Sequence, residues 1–198
     1  MHTDLSRDSM STILTVGHSS RPLAEFVALL RAHGVTCVAD VRKMPRSRSN
    51  PQFNSDTLAR ALAEAGIRYV HIRALGGLRR RTAHSPNGGW RNPSFQGYAD
   101  YMQTPAFDEG LQAIIDLAQD ERLALMCAEA VPWRCHRSLI ADALVVRGFS
   151  VADILSDKRA DPHKLRSWAR VEGTRITYPA ETTREPPVTR RGTNAPNG

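Results

Sequence analysis

A chain of 198 residues with 41% hydrophobic content is long enough to bury one sizeable core, and its formal charge of +7 favours anionic partners over cationic ones. No apolar run approaches the roughly 20 residues of a membrane span, and residues 1–11 lack the apolar stretch of a signal peptide. Three cysteines without metal-finger spacing suit a reducing compartment rather than a disulfide scaffold, so the expected location is the cytoplasm, with no membrane partner.

In chain order, the apolar run Ile13–Val16 reads as a strand that ends in Gly17-His18-Ser19-Ser20. A helical pattern from Pro22 to Ala32 stops at Gly34, and a second strand, Val35–Ala39, ends in Asp40-Val41-Arg42 and a basic loop running to Pro51. A helix from Asp56 to Ala65, closed by Gly66, leads into a third strand, Ile67–Ile72. That strand runs out at Leu75-Gly76-Gly77, just before Arg79-Arg80-Arg81. Residues 82–107 are rich in turn formers. Phe95, Tyr98, Tyr101 and Met102 fall at helical spacing and read as the inner stripe of a helix, whereas Trp90, isolated among Gly, Asn and Pro, reads as a stacking face on a lid. A fourth strand, Leu123–Met126, a helix from Ser138 closed by Gly148, and a fifth strand, Phe149–Leu155, complete the pattern.

Strands alternating with helices predict an α/β fold: one domain over residues 12–157, with a mostly parallel central sheet of about five strands flanked by helices. Residues 1–11 read as a flexible N-terminus. Residues 158–198 carry nine basic and four acidic residues among many Pro, Thr and Gly, and read as an irregular, partly disordered extension, with a short helix near Leu165–Val171 docking Trp168.

On a parallel sheet all the strand ends share one carboxyl edge, where ligands bind. That edge gathers His18, Ser19, Asp40, Arg42, Gly76, Gly77, Cys127 and Glu129, with Cys135, His136 and Arg137 at the start of the following helix. Arginine and a helix N-terminus suit an anion, so Arg42, His136 and Arg137 are the expected clamp, and His18, Glu129 or Asp40 the expected proton-transfer groups. Because neighbours on a helix point about 100° apart, only one of His136 and Arg137 should face the ligand. Thiol catalysis at Cys127 is the sharper alternative, but the phosphatase-like register would need arginine where Trp133 stands and the sulfurtransferase-like register would need it at Pro132. A zinc site from Cys127, Cys135, His136 and His18 lacks a Cys-x-x-Cys pair, so no metal or cofactor is assigned. Cys37, inside an apolar strand, reads as core.

Thr15-Val-Gly-His-Ser19, Asp40-Val-Arg42 with Pro45 and Ser47, Leu75-Gly-Gly77, Phe95 with Tyr98 to Met102, and Leu125-Met-Cys-Ala-Glu129 followed by Cys135-His-Arg137 resemble the signature blocks of domain-of-unknown-function family 488. The blocks occur in order over residues 12–157. The resemblance implies a bacterial or archaeal α/β domain with no assigned biochemical role. The chain departs from the pattern at Asp153, where the family often carries a histidine.

Two function classes follow. One is an enzyme acting on a phosphate-bearing small molecule or nucleic acid; the other is a basic nucleic-acid-binding module without chemistry. A cavity enclosing His18, Arg42, Glu129 and His136 favours the first, and a flat basic face favours the second. Nothing in the sequence fixes an oligomeric state.

Overall fold

The structure, a computed structural model, describes residues 12–180. The expected flexible N-terminus and the last part of the expected extension, residues 181–198, lie outside that range. Five parallel strands and one antiparallel strand form a sheet: β1 (Ile13–Gly17), β2 (Cys37–Asp40), β3 (Arg68–His71), β4 (Leu123–Cys127), β5 (Val151–Ser156) and β6 (Arg159–Pro162). Their spatial order is β3-β2-β4-β1-β5-β6. All residues of β1, β2 and β4 are buried, as continuous apolar runs covered on both faces require.

Side-chain alternation along the strands divides the core in two. Leu14, Val16, Val38, Ala124 and Met126 pack against α1 (Leu23–Ala32) and α2 (Ser55–Glu64) through Phe26, Leu30, Leu58 and Leu62. Ile13, Ala39, Leu123 and Leu125 face the opposite layer of α3 (Pro93–Tyr101), α4 (Pro105–Asp120) and α5 (Arg137–Val146). The chain leaves the adjacent strands β1 and β4 toward opposite faces, α1 on one and α5 on the other. That divergence opens a crevice beyond their carboxyl ends.

The expected helical stripe exists as α3, with Tyr98 buried and its hydroxyl donating to the Leu75 carbonyl at 2.7 Å. The stretch expected as a lid is fastened instead: Thr82, Ser85 and Asn87 all donate to the Asp100 carboxylate of α3, whose pKa is held below its usual range by these bonds despite burial. None of the described helices is long and apolar enough to cross a membrane.

The ordered structure continues past residue 157. After β6 the chain wraps over α5 and forms a small hairpin of β7 (Arg170–Glu172) and β8 (Arg175–Thr177). No helix forms at residues 165–171, although Trp168 does dock, in a turn, against Trp90 and Tyr178. What holds this segment is a buried polar network. Asp142 on α5 accepts hydrogen bonds from His163 (2.9 Å), Arg166 (2.7 Å) and the Tyr178 hydroxyl (2.7 Å), and Asp153 on β5 accepts from the other His163 ring nitrogen (3.1 Å) and from Thr15 (2.5 Å). A charge count averaged over 41 residues hides these anchors, because a few residues supply the attachment, among them His163, Arg166, Trp168, Ile176 and Tyr178.

Burial opposes the charge on His163, but the two carboxylates outweigh it and raise its pKa from 6.5 to about 9. A raised folded-state pKa contributes stability that is full below the unfolded value and disappears as pH climbs through the folded one. Thermal stability should therefore decline between about pH 6.5 and 9, with a contribution at stake on the order of 3 kcal/mol. His163→Gln should flatten this part of the melting temperature against pH curve, and an unchanged slope would refute the assignment.

Candidate functional site

Two adjoining cavities of about 400 and 340 Å3 open at the carboxyl edge of the sheet. Arg42, Met44, Ala128 and Glu129 belong to both and form the wall between them. The larger also contains Gly77, Tyr98, Cys127, Cys135 and His136; the smaller contains His18, Ser19, Arg46, Ser47 and Asn50. The expected convergence is thus met at one edge but split across two chambers, with His18 on one side and the thiols on the other.

β1 and β4 end in register, Gly17 beside Cys127, and the amides of His18 and Ser19 go on to donate to the carbonyls of Cys127 and Ala128, each at 2.9 Å. A Cβ at Gly17 would collide with the Glu129 carbonyl, which is why the approach needs glycine. His18 stacks on Phe53 with ring centroids 4.0 Å apart. Its Nδ1–H donates to the Ser19 carbonyl (2.7 Å), leaving Nε2 to accept from Arg42 (3.2 Å). Burial, with the Arg42 charge beside it, lowers its pKa, so the imidazole is neutral.

Arg42 is held from below. Asp40 is fully buried and accepts from Arg42 Nε and Nη2, from the Arg42 amide and from the Tyr69 hydroxyl (2.7 Å); Nη2 also donates to the Phe53 carbonyl (2.9 Å). Burial works against the guanidinium charge, but the bonds to Asp40 more than offset it and raise the Arg42 pKa. Of its five N–H groups, one on Nη1 remains for a ligand at the junction of the chambers. Asp40 therefore positions Arg42 and touches neither cavity.

On the far side of the wall, Cys127 ends β4, while Cys135 and His136 precede α5. His136 Nε2–H donates to the Val41 carbonyl (2.9 Å), which directs Nδ1 at both sulfurs, 3.7 Å from Cys135 Sγ and 3.9 Å from Cys127 Sγ. Cys127 is drawn well below the usual thiol range, chiefly by a hydrogen bond from Cys135 and with help from His136, against burial. Cys135, the donor in that bond and itself buried, is pushed well up. The two sulfurs and Nδ1 lie within 4.8 Å of one another, and this is the one such group of metal-capable donors among the described residues. His18 is not part of it. Cys37 stays in the core, as expected, where burial pushes its thiol up to about 11.

Three expected ligand groups sit elsewhere. Arg137 is 0% exposed and lines neither chamber: Nε donates to Thr15 Oγ1 (3.2 Å), Nη2 to the Ala130 carbonyl (2.9 Å) and Nη1 to the Glu129 carbonyl. It fixes the turn after β4 to β1, and His136 is the member of the pair that faces the cavity. Trp90 packs between Phe95 and Trp168 with the Arg166 guanidinium 4.7 Å over its ring, away from both chambers. Gly76 backs onto Lys43, whereas Gly77 borders the larger chamber under His136. Asp153 serves the His163 network rather than this site. Glu129 stands in the wall with Oε1 accepting from the Val131 amide (3.0 Å).

The basic loop from Arg42 to Pro51, expected at this edge, supplies Lys43 and Met44 to the larger chamber and Arg46, Ser47 and Asn50 to the smaller; Phe95, expected in the core, lines the larger chamber, as do Leu78 and Arg134, which the sequence did not single out. Arg79, the first of the Arg79–Arg81 run, donates to the Gly76 and Ala74 carbonyls and lies over the Tyr101 ring. Backbone strain marks both rims: Ser19 (φ 52°) and Leu78 (φ 58°) are the non-glycine residues with positive φ among the described residues, and each borders one chamber.

A family model described as "Domain of unknown function DUF488" matches residues 22–144. No curated protein and no solved structure matches the chain.

Replacing Arg137 with methionine should strand the Glu129 and Ala130 carbonyls without donors and cost on the order of 3 kcal/mol. Lys43→Met, on the exposed rim, should leave the unfolding free energy within about 0.5 kcal/mol of the parent, and so the melting temperature close to it. Equal melting temperatures for the two variants would contradict the internal role given to Arg137.

Proposed function

Since the chain belongs to the DUF488 family, whose description names no activity, its function is to be read from the site, and we propose that it is an enzyme acting on a phosphate-bearing small molecule of nucleotide size. The observation that carries this reading is Arg42: a buried guanidinium locked onto Asp40, with a donor left over where two concave chambers meet. Buried arginines so held act as fixed anion receptors, because no side-chain entropy is lost when the anion arrives.

Electrostatics support the same ligand. The joint lining holds Arg42, Lys43, Arg46 and Arg134 against one carboxylate, Glu129, with His18 neutral. The chambers also differ in character. Met44, Leu78, Phe95 and Tyr98 give the larger an apolar wall suited to a ring, whereas Ser19, Ser47, Asn50 and Arg46 give the smaller the hydroxyl, amide and cationic groups suited to phosphate oxygens. Glu129, in the wall between them, is placed to exchange a proton with a group on either side.

The nucleic-acid-binding alternative makes a different demand, a broad exposed basic face. Arg80 and Arg81 are exposed and fit it, but Arg79 is spent internally and Arg42, Lys43, Arg46 and Arg134 line concave walls.

Calorimetric titration with a nucleoside diphosphate should show one site per chain, and Lys43→Met and Arg134→Met should each weaken binding roughly 2–5-fold. An affinity that appears only with single-stranded oligonucleotides and grows with their length, with no binding of the nucleoside diphosphate, would replace the enzyme with the binding module.

A further inference from the structure

The thiol–imidazole cluster at the floor of the larger chamber has a geometry that anion binding does not explain. Two cysteines and a histidine from three adjacent pieces of chain, the end of β4, the turn before α5 and the first residue of that helix's cap, aim their donor atoms at one point. We infer that Cys127, Cys135 and His136 hold one divalent cation of the zinc class, with its fourth position open to the chamber.

Bond lengths of roughly 2.3 Å to sulfur and 2.0–2.1 Å to nitrogen, arranged tetrahedrally, put sulfur and nitrogen about 3.5 Å apart. The distances from Nδ1 to the two sulfurs are 3.7 and 3.9 Å, so both pairs reach that separation with shifts of a few tenths of an ångström, and the sulfurs themselves lie within 4.8 Å of each other. The imidazole is set up as a metal-bound histidine is: its other nitrogen donates to a backbone carbonyl, that of Val41, which fixes the tautomer and leaves Nδ1 with a free lone pair. A side chain at residue 77 would come within 2.9 Å of that same Nδ1, and residue 77 is glycine. Tyr98 packs 5.0 Å from the imidazole and limits its rotation. These supports all bear on the donor atoms themselves.

The fourth position faces the chamber, because His18 is walled off beyond Arg42 and Glu129. Three protein ligands with one open position is the arrangement of a catalytic rather than a structural zinc site. A water molecule there is made acidic by the cation, and Glu129, the one carboxylate lining that chamber, takes its proton. The hydroxide that remains then attacks the phosphorus of the ligand's phosphate ester, the bond from phosphorus to the ester oxygen breaks, and Glu129 returns its proton to the departing oxygen. This reaction class rests on the enzyme reading above; occupation of the site by the cation does not.

The test uses the full chain, kept reduced, stripped with a chelator and titrated with zinc chloride by calorimetry and with cobalt chloride by absorption. One cation per chain is expected, with cobalt giving the intense near-ultraviolet thiolate charge-transfer band and the visible bands of a tetrahedral centre. Cys127→Ser, Cys135→Ser and His136→Gln should each weaken binding by more than the roughly 10–100-fold cost of losing an outer partner of a ligand. Cys37→Ala removes the remaining thiol, in the core, and should leave the stoichiometry and the band unchanged. Circular dichroism of the stripped variants separates lost ligation from lost folding. Absence of a bound cation at micromolar zinc, a cobalt spectrum without the thiolate band, or folded ligand variants that still bind like the parent would each overturn the proposal. So would equal weakening by His18→Gln, because a fourth protein ligand leaves no open position. Nucleoside diphosphate binding measured on the same stripped protein stands apart: its loss with intact cation binding removes the anion reading and leaves the metal site, and the converse does the opposite.

Discussion

A guanidinium with no access to solvent organises the carboxyl edge of this sheet. Arg137 joins α5, the turn after β4 and, through Thr15, the middle of β1, and it does so by satisfying carbonyls that have no other donor among the contacts described. Buried positive charge is costly unless it is hydrogen-bonded, and the turn takes the shape that, with Thr15, gives each guanidinium nitrogen an acceptor. Thr15 passes the constraint on to Asp153, and His163 and Asp142 carry it to the segment that ends at Tyr178. The backbone that carries Glu129 and the cap that carries Cys135 and His136 are placed by this chain of contacts before any ligand arrives.

A second arginine does the reverse. Arg42 is anchored as firmly, on Asp40, but its anchor leaves one donor pointing outward. The contrast shows how one residue type builds a scaffold in one position and faces a cavity in another, and the difference lies in where the guanidinium sits: Arg137 lines neither chamber, whereas Arg42 lines both. Around Arg42 the shared wall has Lys43 and Arg134 in one chamber and Arg46, with the neutral, buried imidazole of His18, in the other. On the proposed reading such a wall holds an anion while keeping the groups on each side distinct.

β1, β2 and β4 could be read from the sequence because each is a short apolar run, buried on both faces and closed by glycine or a charged residue, whereas β3 and β5, which carry polar residues and are only partly buried, were legible from their place between helical patterns. The carboxyl-edge cluster followed from topology alone, since parallel strands bring their ends together. The roles of neighbouring residues did not. Arg137 and His136 are adjacent in sequence and chemically alike as anion ligands, yet one is internal and one faces the cavity, and the choice is made by Thr15, about 120 residues away. Trp90 looked isolated because its partners, Trp168 and Tyr178, come from a segment whose composition resembles a linker. Leu78 and Met44 were passed over because exposed apolar side chains, at 67% and 69% of their surface, have no sequence signal until a cavity appears beside them.

The wrap of residues 163–178 over α5 also bears on how the molecule is made. Synthesis runs from the N-terminus, so the helix that caps the site emerges with Asp142 bare, while the groups that neutralise it follow more than 20 residues later. Until then an acidic side chain destined for burial has no counter-ion, and the layer carrying Cys135 and His136 lacks its outer fastening. Maturation of the reactive end of the sheet is thereby tied to completion of nearly the whole described chain. A ribosome-bound fragment already holding every residue of both chambers would still present them on an unsealed helix.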